Sequence, residues 1–151
     1  MSGYDTDVYA WSIRQGALLR RIAAGERVND ADIDWPSIAE EVESVGRSER
    51  AALLSRISTI LEHLIKLRIS PAIDSRRGWS ETALRSRLDV EDLLQDSPSL
   101  RQCVGDIIAR RLPAARRLAL AALESQGEHP VSDPELFVFD EAQVLGDWFP
   151  D

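Results

Sequence analysis

Leu53-Leu54-Ser55-Arg56-Ile57-Ser58-Thr59-Ile60-Leu61-Glu62-His63-Leu64-Ile65-Lys66-Leu67 decides how the rest of the chain must be arranged. Leu53, Ile57, Ile60, Leu64 and Leu67 recur at alternating spacings of four and three, the repeat of a helix packed along a seam. Leu54, Leu61 and Ile65 add a second row. The apolar arc is then too wide for one neighbour, so this helix must lie centrally and be contacted from two sides. Pro71 ends it, because a residue preceding proline is pushed out of helical geometry.

Towards the N-terminus, Asp5 and Thr6 offer caps for a helix running to about Ala24, with Val8, Trp11, Leu18 and Ile22 on one face and Gly25 as the stop. Asp34 caps the next helix, which tolerates Pro36 because first-turn amides have no intrahelical partner. Trp35, Ile38, Ala39, Val42 and Val45 gather on an expected inner face, Glu40 and Glu43 point roughly opposite, and Glu41 sits on the border. Gly46 is expected to end or bend this helix before the central one begins.

Towards the C-terminus, Arg76, Arg77 and Gly78 read as a loop, and Ser80 as the cap of a fourth helix with Trp79 and Leu84 at the spacing of a hydrophobic staple. Leu88, Leu93 and Leu94 continue it. Pro98 marks the first turn of a fifth helix, whose face is carried by Leu100, Val104, Ile107, Ile108, Leu118 and Ala122 and which Pro113 should kink or split. Arg111 faces the core if the helix keeps phase. From about residue 128 the pattern gives way to a tail bearing Leu136, Phe137, Phe139, Trp148 and Phe149, with a short capped helix from Asp140 to Leu145 ended by Gly146. The expected fold is all-α: one domain over 1–151, a bundle of about five helices, and an aromatic tail over 128–151 packed across it.

Composition sets the functional classes to consider. With 44% hydrophobic and 29% charged residues the chain is a globular protein. Its net charge of −8 repels phosphate backbones, so nucleic acid is a poor partner and a basic protein or a cation an easier one. The lone Cys103 cannot form an internal disulfide, Met1 to Asp5 lack a signal-peptide start, and no apolar run is long enough to span a membrane. A cytoplasmic protein is expected, without membrane attachment.

Several blocks resemble a known family in order. Glu40-Glu41-Val42-Glu43-Ser44-Val45-Gly46-Arg47-Ser48-Glu49 is similar to the E-E-I-E-S-L-G-R-S-E motif of the bacterial family called domain of unknown function 29. Tyr4 to Trp11, His63 to Lys66 followed by Pro71, Ser75 to Trp79, and Asp96 to Leu100 resemble it too. The resemblance covers nearly the whole chain and implies a small all-helical cytoplasmic protein; it brings no activity. The chain departs from the family's pattern at Arg68 and Ser70, where an aromatic and a glutamine are usual, and at Phe139-Asp140-Glu141.

Two functional readings stay open. Glu40 and Glu43 share a helical face at a spacing by which carboxylates are presented to magnesium, so with Glu41 they are candidate metal ligands, and His63 or Glu41 a candidate base, of a metal-assisted hydrolase of a phosphorylated small molecule. That reading alone calls for a cofactor, a divalent metal. The favoured one is a protein-binding module without catalytic activity, its surface drawn from Glu40, Glu43, Arg47, Phe137 and Trp148, and its partner an unidentified protein or a second copy in a homodimer. Cys103, on an apolar helix with no base nearby in sequence, reads as a small core residue, and the paired arginines as internal salt-bridge donors.

Overall fold

The computed structural model describes residues 3–151 and is all-α, with no strand among the described residues. Among the described residues six α-helices follow one another: α1 (Gly3–Thr6), α2 (Val8–Ala23), α3 (Trp35–Ile69), α4 (Arg76–Asp96), α5 (Val104–Ser125) and α6 (Glu141–Leu145). The helices expected before and after Gly46 are one. Gly46 lies inside α3 with open space around its Cα, and a lone glycine costs a helix only about 1 kcal/mol, too little to interrupt a run of good helix formers. Residues 1–47 and 48–151 form two compact units.

The first unit has little apolar core. Trp11 and Ile33 are its buried hydrophobic residues, and Gln15 is buried beside them in the chain's second helix. Asp7 caps α2 by accepting from the Ala10 amide. The helix ends as the sequence leads one to expect: Gly25 adopts φ +82°, and the amides of Gly25 and Glu26 turn back to the carbonyls of Ile22 and Arg21.

The second unit carries the main core. Leu53, Ile57, Ile60, Leu61, Leu64, Ile65 and Ile69 of α3 are fully buried, on more than one side of the helix, as its wide apolar arc requires. α4 adds Ala83, Val90 and Leu94; α5 adds Ile107, Leu112, Ala115, Ala119 and Leu123; the tail adds Phe139 and Val144. The expected faces of α4 and α5 need correction, because Leu84, Leu88 and Leu118 are exposed. The inward row of α4 is Ala83, Arg87, Val90 and Leu94, and an arginine on that row hides its periodicity. α4 also starts earlier than Ser80, with Ser75 at its cap position, since the Trp79 amide already bonds the Ser75 carbonyl. Pro98 opens a 3-10 turn over Pro98–Cys103, and α5 then runs unbroken through Pro113, with Arg111 half-buried and its Nε donating to Ser58 Oγ at 2.9 Å.

The tail is held chiefly by arginines of the bundle. Arg87, 4% exposed, donates from Nε to the Val144 carbonyl at 2.8 Å and from Nη2 to the carbonyls of Gln143 and Trp148 at 2.8 and 2.7 Å. Its guanidinium lies 4.5 Å from the centre of the Phe149 ring. Burial pushes its pKa down, with Asp147 opposing. Arg76 bonds the Pro150 carbonyl and Arg116 the Phe137 carbonyl. α6 forms where expected, with Asp140 and Gln143 in a reciprocal capping box.

Two substitutions test this description. Arg87→Met strands three tail carbonyls and should lower unfolding free energy in urea by about 3 kcal/mol, at roughly 1 kcal/mol for each lost bond; an unchanged midpoint would contradict the clamp. Gly46→Ala should raise the melting temperature, being worth about 0.5–1 kcal/mol in an open helical position, and a lower value would mean that the helix needs its glycine.

Candidate functional site

The surface built around α3's first turns draws on an unusual polar junction. Asp34 precedes α3, and its Oδ1 accepts from the Ser37 amide at 3.4 Å while Oδ2 accepts from the Trp11 indole at 3.0 Å. Its own amide donates to Gln15 Oε1 at 2.9 Å, and the Gln15 amide group donates to the Asp32 carbonyl at 3.1 Å. One carboxylate thus caps a helix and anchors the tryptophan of α2. The Ser37 bond, helped by Trp11, holds the Asp34 carboxyl below its ordinary pKa against the opposing effect of burial.

Tyr4 closes the same unit. Its hydroxyl donates to Glu41 Oε1 at 2.6 Å, and its ring meets Trp11 edge to face at 4.9 Å. The hydrogen bond donated to Glu41 raises the phenol pKa, since ionisation would remove the proton that makes the bond. Glu41 is half-buried, as are Ser37, Ile38 and Ser44. The side of α3 that is covered is therefore the one bearing Glu41 and two serines.

This overturns the expected inner face. Val42 is 68% exposed, Val45 66% and Trp35 46%; Ala39 is exposed as well. Small Ser37 and Ser44 at a spacing of seven were the available sign that a neighbour approaches there, but with no large apolar group among them periodicity selects the stronger stripe. The expected face of α2 fares partly better: Trp11 is buried and Leu18 half-buried, while Val8 and Ile22 are exposed. Tyr9 and Ile13 on the same helix are exposed too.

The other candidates are placed as follows. Glu40 and Glu43 are brought together by Arg47, at 2.6 and 3.7 Å, in exposed ion pairs. Glu41 takes the Tyr4 bond instead. His63 lies in the second unit, half-buried, with Nδ1 2.8 Å from the Thr59 carbonyl, and burial lowers its pKa. No group of three or more His, Cys, Asp or Glu residues able to hold a metal ion occurs among the described residues. Phe137 and Trp148 are half-buried and flank the Arg68 guanidinium at 5.2 and 5.5 Å. Cys103 is a free, half-buried thiol. A cleft of about 560 Å³ is lined by Arg87, Glu91, Gln95, Arg101 and Glu141, so its charges oppose one another, and Arg87 already serves the tail.

The sequence profile of the family described as Domain of unknown function DUF29 matches residues 3–149. The chain belongs to that family. No curated protein and no solved structure matches it significantly. In this DUF29 protein Arg68 is one of the bundle arginines that meet the tail, through the rings of Phe137 and Trp148. No described helix is long and apolar enough to cross a membrane.

The Asp34 junction has a definite pH signature. A carboxyl with a lowered folded-state pKa contributes stability that is present above its unfolded pKa of about 3.9 and is lost as pH falls through the folded value. Asp34→Asn keeps a capping side chain and should flatten that part of the acid-unfolding profile. Superimposable profiles for the two proteins would refute the assignment.

Proposed function

We propose that the protein is a binding module for another protein, with the exposed apolar stripe of α3, Trp35, Ala39, Val42 and Val45, as its contact surface. The observation that carries this reading is the exposure of Val42 and Val45, two β-branched residues one helical turn apart on a helix already covered on a different side. Large apolar side chains scattered singly need no explanation; a row of them at helical spacing is what a helix-in-groove or helix-on-helix contact requires. Glu40, Glu43 and Arg47 keep a place in this reading as polar surroundings. Phe137 and Trp148 do not, because both rings are engaged with Arg68.

The hydrolase alternative gains no support. Its base candidate His63 accepts a local backbone role, and its ligand candidates divide between Arg47 and Tyr4.

A photoreactive amino acid at position 42 should crosslink a defined cellular protein. The same protein should fail to co-purify with a Val42→Gln/Val45→Gln variant whose melting temperature matches wild type, since exposed substitutions shift stability by no more than about 0.5 kcal/mol. Co-purification unaffected by the double substitution would remove the stripe as the contact surface.

A further inference from the structure

We infer that the occupant of the α3 stripe is an amphipathic helix whose apolar row is edged by lysine or arginine. The inference rests on the stripe being a protein-binding surface and adds the chemistry of what it binds. Three observations carry it.

The first is the border. Glu41 lies one helical turn before Val45, and Glu43 one turn after Ala39, so a glutamate stands beside the apolar row on each side. The Glu41 carboxylate is held in place by Tyr4, whose hydroxyl donates to its Oε1 at 2.6 Å. Glu43 is 68% exposed.

The second is the lack of competing cations. Over Trp35–Arg47 the only basic side chain is Arg47, which is drawn to Glu40 at 2.6 Å and only loosely to Glu43 at 3.7 Å. Exposed pairs of this kind are worth about 0–1 kcal/mol, so an incoming guanidinium or ammonium can share Glu43 at little cost. Residues 1–47 as a whole hold nine acids against five arginines. A basic helix would be steered towards this unit, whereas an acidic peptide or an anionic membrane surface would be repelled.

The third concerns a second copy of the chain. Stripe against stripe, two copies would set the glutamate borders against each other, a like-charge juxtaposition that opposes association. The geometry favours a partner of opposite border charge, as the flanking positions of paired helices ordinarily do.

The test uses two labelled helical peptides of about 18 residues, five turns, identical in their leucine and alanine row and differing only in lysine or glutamate edges. Fluorescence anisotropy with the full chain should show the lysine peptide binding at least about tenfold more tightly than its twin, with affinity falling as NaCl is raised from about 0.05 to 0.5 M. Val42→Gln/Val45→Gln should abolish binding, and Glu41→Gln/Glu43→Gln should weaken it about fivefold or more, keeping an acceptor for Tyr4 while removing both charges.

Equal binding of both peptides, lost in the valine variant, would overturn the basic-partner inference and leave the stripe as an interface. Sedimentation showing a dimer that the valine variant abolishes and the lysine peptide does not disrupt would assign the stripe to a second copy and overturn it as well. Binding of the lysine peptide that survives the valine substitutions would overturn both the inference and the reading on which it rests.

Discussion

The central helix segment from Leu53 to Ile69 is apolar on too many sides to be left half in water, and the second unit is organised by that constraint. Seven of its side chains are fully buried. Residues of α4 and α5 share its core cluster, and the C-terminal segment adds Phe139 and Val144 to the same cluster. Hydrophobic burial of this kind sets location without direction, so something else must define how the tail lies. That role falls to hydrogen bonds from buried arginines.

Arg87 shows the energetic logic. Taking a guanidinium out of water is costly, and its lowered pKa expresses that cost. Three carbonyl bonds and an aromatic face offset it, while Nη1 is buried and finds no partner among the described residues. The Nε atoms of Arg68 and Arg116 are in the same condition. An apolar residue could not bind the carbonyls left by an irregular tail, and a lysine has no planar fork to reach several of them. In the first unit the Asp34 junction does comparable work with a carboxylate, where too few apolar groups are buried to hold α2 by packing.

The helical class, the end of α2 at Gly25, the central position of α3 and the capped turn at Asp140 were all legible, because each is written in local spacing or in one residue with a special backbone preference. What was not legible depends on pairing at a distance. Nothing near Tyr4 announces Glu41, thirty-seven residues on, and nothing near Arg87 announces the tail it holds. The inner face of α3's first turns was misread for a related reason. Periodicity reports which residues share a side, and burial follows from it only when the fold has something to put there. Here Glu41 and the serines face the neighbour, and the valines face solvent.

Because Arg87 grips Gln143, Val144 and Trp148 through their main-chain oxygens, its hydrogen bonds follow the path of the tail, and Phe149 is the one side chain there that it meets face-on. The three carbonyl bonds themselves depend on the number of residues between the gripped positions, while Val144 is fixed separately by its place in the core. A one-residue insertion between Val144 and Trp148 would be a graver change than any single replacement there, since it would shift a carbonyl out of the fork's reach.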